Sequence, residues 1–94
     1  MITLGIIGTN WITQQFVEAA QATKQYQLTT VYSRHQDTAT QFAEKNGATA
    51  TFDDLNAFFS SDQFNTVYIA SPNSLHFEQA KQAIAHHKNL IVEK

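Results

Sequence analysis

Apolar and polar residues alternate along the chain in blocks whose lengths indicate strands and helices in turn. Residues 2–7 form a mostly apolar run that ends at Gly8, which is typical of a strand covered on both faces. Residues 10–23 then predict a helix, and residues 27–33, rich in β-branched and aromatic side chains, predict a second strand. The apolar stripe of this first helix is formed by Ile12, Phe16, Ala19 and Ala20.

The second half of the chain continues the same alternation. Residues 37–47 predict a helix in which Thr38 and Gln41 form a capping box and Gly47 closes the carboxyl end. The remaining predicted elements are a strand at 48–52, a brief helix capped by Asp53, a strand at 66–70, a helix from Pro72 to about His86 and a strand at 90–92.

Strands that alternate with helices predict an α/β fold with one doubly wound parallel sheet. Right-handed crossovers then give the strand order 3-2-1-4-5 of a Rossmann domain. The last of these helices runs through Phe77, Ala80 and Ile84. In such sheets ligands bind beyond the carboxyl ends of the strands. The residues that follow predicted strands are 8–13, 33–35, 53–54, 71–76 and 93–94.

Composition narrows the range of functions. The 94 residues form one domain, 1–94, and the net charge of −2 provides no basic surface for nucleic acid. No apolar run is long enough to span a bilayer and no signal segment precedes the first strand, so we expect a cytoplasmic protein without a membrane partner. The sequence has no cysteine, and the adjacent His86 and His87 do not share a helix face, so we expect no metal site.

The first strand runs into a turn that resembles a degraded G-x-G-x-x-G motif. Gly8 is its only glycine, because Asn10 and Thr13 occupy the second and third positions. Asn tolerates a positive φ better than most residues, and its amide could donate to a phosphate. The helix that follows offers unpaired N–H groups to a pyrophosphate. This motif alone leaves two alternatives open: a dinucleotide site or a structural strand–turn–helix corner.

Three further strand ends carry candidate chemistry. Ser33 and Arg34 follow the second strand where an NAD-binding domain usually has a carboxylate, and a guanidinium suits a 2′-phosphate, so NADP is slightly favoured over NAD; a solvated surface arginine is the alternative. After the fourth strand, Pro72 and Asn73 explain a turn and a cap, whereas His76 in the first helical turn suits a cofactor contact or a structural hydrogen bond. Glu93 and Lys94 follow the fifth strand.

Four segments together resemble the amino-terminal domain of the glucose–fructose oxidoreductase / inositol dehydrogenase (GFO/IDH/MocA) family. They are LGIIGTNWIT, VYSR, TVYIASPNSLH and NLIVEK, in this order, and the resemblance covers the whole chain. It implies a domain that binds NAD or NADP and is followed by a larger substrate domain. It also implies a dehydrogenase acting on a secondary alcohol of a sugar, a polyol or a related small molecule.

The resemblance also implies roles for individual residues. Lys94 would be the catalytic group, polarising or deprotonating the substrate oxygen, and Glu93 would touch the nicotinamide ribose. The asparagine and threonine in the glycine motif depart from the family and put tight pyrophosphate binding in doubt. The remaining cofactor contacts would be Gly8, Thr9, Asn10, Trp11 and Ile12 at the pyrophosphate, Ser33 and Arg34 at the adenosine ribose, and Ala70, Ser71, Pro72, Asn73 and His76 along the nicotinamide half.

Because the family's substrate domain is missing, we expect a domain truncated from a longer two-domain enzyme and inactive by itself. A homo-oligomer of that parent stays open. Two other classes compete with the enzyme. One is a non-catalytic nucleotide-binding or interaction module in which Lys94 is merely solvated. The other is a receiver-like signalling domain that would use Asp53 or Asp54, but it needs an acidic pair after the first strand, where this chain has residues 8–10, Gly-Thr-Asn.

Overall fold

The computed structural model describes residues 2–70 and 73–92, with the side chains of residues 73–76 and 92 outside that description. No helix within these ranges is both long and apolar enough to cross a membrane. Strands and helices alternate throughout. They are β1 Ile2–Ile7, α1 Trp11–Ala22, β2 Tyr26–Tyr32, α2 Gln36–Asn46, β3 Ala50–Phe52, α3 Leu55–Ser60, β4 Thr66–Ile69, α4 Asn73–Ala85 and β5 Asn89–Val92.

The described strands form one parallel sheet in the order β3-β2-β1-β4-β5, which confirms the predicted fold class and topology. The register brings the carboxyl ends of the three central strands together, because Ile7 pairs with both Tyr32 and Ile69. After β1 the chain continues to β2, which pairs with one side of β1, whereas β4 pairs with its other side. The switch point of the sheet therefore lies between β1 and β4, directly beyond Ile7.

The two faces of the sheet have different cores. On the α1/α2 face the buried residues are mostly aliphatic, and the Phe16 ring stacks on Tyr68 with centroids 3.9 Å apart. On the α3/α4 face the core is aromatic, since Phe58 stacks on Phe64 at 4.6 Å and meets Phe59 edge to face at 5.1 Å. Successive residues of β1 divide between the two faces, as the period of a strand requires.

Several predicted boundaries need correction. Helix α2 begins at Gln36, two residues before Thr38, so the predicted capping box is wrong; the αL conformation of Gly47 (φ 83°) confirms the carboxyl-terminal cap. The cap of α3 is Asp54, whose carboxylate accepts from the Ala57 N–H at 3.0 Å, and not Asp53. The other bounds differ from prediction by one or two residues, which is the usual uncertainty at frayed ends.

The predicted apolar stripe of α1 is also partly wrong. Helix α1 buries Thr13, Val17 and Ala20, whereas Ile12 is 39% exposed. Helix α4 buries Gln79 and Ala83 and leaves Phe77 and Ile84 exposed. The orientation of each helix is set by what fits beside the sheet, and in α4 the small Ala83 packs closely against the aromatic core.

Candidate functional site

The turn after β1 is held by a close approach of two strand ends. Gly8 has φ 106°, and a Cβ at this position would lie 3.3 Å from the carbonyl oxygen of Ala70 at the end of β4. The Ala70 N–H donates to the Ile7 carbonyl at 3.0 Å and the Gly8 N–H donates to the Tyr32 carbonyl at 3.3 Å. Glycine is therefore favoured here by the backbone conformation, and a Cβ would also make a tight contact with Ala70.

Asn10 has a different role from the one its position in the motif suggested. Its backbone is extended (φ −77°, ψ 177°), so the positive φ considered for this position is not needed. Its side-chain Oδ1 accepts from the Thr13 N–H at 2.9 Å and from Thr13 Oγ1 at 3.1 Å, which makes Asn10 the N-cap of α1. The asparagine thus replaces the second glycine of the motif with a helix cap, and Thr13 is fully buried beneath it.

The cap leaves donors at the helix start. The Gln14 N–H bonds to the Asn10 carbonyl at 3.1 Å and the Thr13 N–H bonds to the Asn10 side chain. Within residues 2–70 and 73–92, the N–H groups of Trp11 and Ile12 have no recorded partner. Unpaired N–H groups at the positive end of a helix are what an anionic phosphate needs.

The turn after β2 contains a charged residue, Arg34. Ser33 is buried, with its N–H bonded to the Phe52 carbonyl at 3.1 Å, whereas Arg34 and His35 are exposed. His35 is the N-cap of α2, but its side chain makes no capping hydrogen bond. The guanidinium of Arg34 therefore stands beside the strand ends with its fork of donors open to a ligand.

A cavity of about 680 Å³ joins these turns beyond the carboxyl ends of β1, β2 and β4. Six residues predicted as cofactor contacts border this one space: Gly8, Thr9, Asn10, Ser33, Arg34 and Ala70. Trp11, which is 68% exposed, borders a second cavity of about 270 Å³ between α1 and α2, together with Lys45. Ile12 borders neither cavity and lies at the surface of the first turn of α1.

Six predicted site residues cannot be located in full. Ser71, Pro72, Glu93 and Lys94 lie outside the described residues, and for Asn73 and His76 only the backbone, in the first turn of α4, is described. Their roles remain predictions. Among the described residues, no group of three His, Asp or Glu side chains is arranged to hold a metal ion.

The sequence did not predict the side of the main cavity that is lined by residues of α3 and α4. Burial raises the pKa of the Tyr32 phenol, the charge of Arg34 opposes the rise, and Asp54 and Asp53 add to it. Tyr32 is the last residue of β2, so its position at a strand end was a usable signal. His35 lies within the predicted segment 33–35, whereas the cavity-lining residues that follow no predicted strand are Thr38, Leu55, Glu78, Gln79 and Gln82.

The α4 contribution had no such signal, because Gln79 and Gln82 lie within the helix and do not follow a strand. Gln79 is only 4% exposed, and Gln82 lies one turn further along the same side. A polar pair turned toward a cavity, while Phe77 and Ile84 face solvent, is visible only once the helix is placed against the sheet.

Comparison with known proteins gives one family. Residues 2–94 match the model of an oxidoreductase family with an NAD-binding Rossmann fold, GFO_IDH_MocA. Over all 94 residues the chain is 50% identical to the scyllo-inositol 2-dehydrogenase (NADP(+)) IolU of Bacillus subtilis, and it spans 29% of the length of that enzyme.

Two solved structures share the fold closely. The 3-ketoreductase KijD10 from Actinomadura kijaniata, in complex with NADP and TDP-benzene, superposes with a TM-score of 0.92 at 29% identity, over 99% of this chain and 29% of that one. GenD2 from gentamicin A biosynthesis, in complex with NAD, has a TM-score of 0.89 at 26% identity, over 99% of this chain and 26% of that one.

Proposed function

Because the chain belongs to the oxidoreductase family with an NAD-binding Rossmann fold, we propose that it is the cofactor-binding domain of an NAD(P)-dependent dehydrogenase. The observation that carries the proposal is the single cavity that joins the glycine turn to Arg34 at the switch point of the sheet. The proposed substrate is a secondary alcohol of a sugar, a polyol or a related small molecule. The 50% identity to an inositol dehydrogenase supports the polyol among these.

In this proposal the pyrophosphate lies over the turn after β1. Gly8 lets the backbone approach it, and the unpaired N–H groups of Trp11 and Ile12 donate to its oxygens. Thr9 and Asn10 border the same part of the cavity, with the Asn10 oxygen engaged in its cap. Asn10 therefore contributes to pyrophosphate binding indirectly. It stabilises the helix whose N–H groups donate to the phosphates, and its own backbone is not strained.

The adenosine ribose then reaches Ser33 and Arg34, and we infer a preference for NADP. Residues 33–35, which follow β2, include no carboxylate to accept hydrogen bonds from the two hydroxyls of an NAD ribose. The guanidinium of Arg34 can instead pair with a 2′-phosphate through charged hydrogen bonds. The family shape itself accommodates both cofactors, since KijD10 is bound to NADP and GenD2 to NAD. The preference rests on Arg34.

The nicotinamide half would lie along Ala70, Ser71, Pro72, Asn73 and His76, with Glu93 at its ribose. The dinucleotide supplies the carbon that accepts or returns the hydride. Lys94 would act on the substrate oxygen, stabilising it or holding its proton, since in sequence it follows β5, the strand that pairs with β4 beside the switch point. These assignments rest on the family resemblance.

The chain spans under a third of the length of its inositol dehydrogenase relative, which supports a longer parent protein with a separate substrate domain. We propose that residues 1–94 bind NADPH weakly by themselves and catalyse no turnover. Measurable NADP-dependent oxidation of a polyol by the purified 94-residue chain would contradict this.

In the parent, Lys94→Met should abolish turnover and leave NADPH affinity within a few-fold, because the lysine acts on the substrate and not on the cofactor. The matched control is Lys24→Met, an exposed lysine after α1, which should keep normal kcat. Steady-state kinetics and titration with NADPH separate the two effects. A parent that binds NADPH but never turns over any alcohol would instead support a non-catalytic nucleotide-binding module.

A further inference from the structure

Helix α4 exposes two large apolar side chains on one flank. Phe77 is 71% exposed and Ile84 is 66% exposed. At about 100° per residue the two positions are aligned along the helix, with the half-buried Ala80 beside them. The ammonium group of Lys81 lies 5.5 Å from the centre of the Phe77 ring and leaves most of that side chain in solvent. Aligned apolar side chains of this kind indicate a contact surface, whereas single exposed ones do not.

This apolar flank of α4 is turned toward the edge of the sheet. The opposite flank, with Glu78, Gln79 and Gln82, borders the main cavity beyond the ends of β1, β2 and β4. The helical period places Phe77 and Ile84 about half a turn away from those three residues. Because β4 is followed by β5 in the sheet order, the flank that faces away from the cavity lies on the side of β5.

Strand β5 is open on the same side. Among the strands that the structure describes, it pairs with β4 alone. Leu90 packs against the core under α3 and α4 and Ile91 against the core under α1 and α2, yet both keep part of their surface exposed. A strand that is apolar on both faces is typical of the interior of a parallel sheet. Residues 89–92, Asn-Leu-Ile-Val, also lack the lysine, proline or bulge that protects a free edge.

The handedness of the crossovers indicates which segment can reach this surface. The connection from β4 to β5 carries α4 on the α3/α4 face of the sheet. A right-handed connection from β5 to a further parallel strand beyond it places its helix on the same face, beside α4. The chain spans 29% of the length of its inositol dehydrogenase relative, so a parent of similar length has the residues for such a connection.

We propose that the segment of the parent that follows residue 94 covers this surface, with a helix packed on Phe77 and Ile84 and a further parallel strand paired with β5. The inference rests on the longer parent in the proposed function and adds to it the contacts by which this domain meets the rest of that protein. The same contacts hold α4 from the side opposite the main cavity.

Thiol labelling tests the helix contact, because the 94-residue chain has no cysteine of its own. Phe77→Cys and Ile84→Cys are made separately in the 94-residue chain and in the parent. Ala22→Cys, at an exposed position at the end of α1, is the matched control. All three thiols should react with iodoacetamide at similar rates in the 94-residue chain. In the parent, the thiols at positions 77 and 84 should react at least about tenfold more slowly, whereas the control should not.

Hydrogen exchange tests the strand contact in the unsubstituted proteins. The amides of residues 89–92 that do not bond to β4 should exchange rapidly in the 94-residue chain and at least about tenfold more slowly in the parent. The amides of the central strand β1 should be protected in both proteins. Because no substitution is involved, this measurement decides the question even where a cysteine variant does not fold.

Equal labelling rates in the 94-residue chain and the parent, or unprotected β5 amides in the parent, overturn the proposal. Labelling of the 94-residue chain that slows as its concentration rises assigns the surface to a second copy and also overturns it. Both measurements are made without NADPH. A parent that shows the protection but binds no dinucleotide therefore refutes the proposed function and leaves this inference standing.

Discussion

The turns after β1 and β2 lie side by side at the carboxyl ends of the strands, but different contacts hold them. The first is fixed by its own contacts, because Gly8 fits against Ala70 and the Asn10 side chain caps α1. The second has a cap residue, His35, that makes no capping bond, and an exposed Arg34. The first turn is thus held by contacts within the protein, whereas the charged side chain of the second turn is exposed.

This difference separates stability from binding within one cavity. Substitutions in the first turn should change the free energy of unfolding, and their effect on cofactor affinity should follow from the altered shape. Substitutions at Arg34 should change affinity with little effect on stability, because that side chain is exposed.

The largest expected effect is at Gly8. Gly8→Ala should lower the free energy of unfolding by about 2–3 kcal/mol, since a positive φ and the Ala70 carbonyl both oppose a Cβ. Gly47→Ala is the matched control, because Gly47 also has a positive φ but no atom lies within 4 Å of the new Cβ. It should cost only about 1 kcal/mol. Urea denaturation measures both free energies of unfolding. Equal losses in the two variants would show that contact with Ala70 does not contribute to the cost at Gly8.

Arg34→Ala should weaken NADPH binding about thirtyfold and leave NADH binding nearly unchanged, since one charged contact to a 2′-phosphate contributes roughly 2 kcal/mol. Isothermal titration with the two cofactors measures the ratio, and raised salt should reduce it. Equal losses for both cofactors would place Arg34 away from the 2′-phosphate.

Asn10→Ala should lower the free energy of unfolding by about 1 kcal/mol through loss of the cap. Asn10→Asp preserves the capping oxygen and should remain stable, while its negative charge weakens binding of the pyrophosphate. Chemical denaturation together with NADPH titration separates the two variants. An alanine variant with unchanged stability would contradict the capping role.

The smallest effect is expected when a cap is added to the second turn instead of being removed from the first. His35→Asn supplies the missing cap of α2 and should raise the free energy of unfolding by about 0.5 kcal/mol. A thermal melt detects the gain. If stability falls instead, the His35 side chain contributes packing that its exposure does not suggest.

The sequence predicted most of the fold because strand runs, helix periods and glycines are local signals. Gly8, Ser33 and Arg34 could be found because they follow strands, and parallel strands bring their carboxyl ends together. The role of Asn10 could not be predicted, since an N-cap and a glycine substitute look alike until the backbone angles are known. The side of α4 that faces the sheet was also hidden, because its most apolar residues, Phe77 and Ile84, lie away from the core.

The most direct test of the central claim is an amide NMR map of NADPH binding to the 94-residue chain. NADPH should cause saturable shifts at residues 8–12 and 33–35 and on the inward side of α4. It should cause none at Asn65 and Asn89, whose backbones are hydrogen-bonded at the amino ends of the strands. Shifts confined to those amino ends, or no shifts at millimolar NADPH, would contradict a dinucleotide site at the switch point.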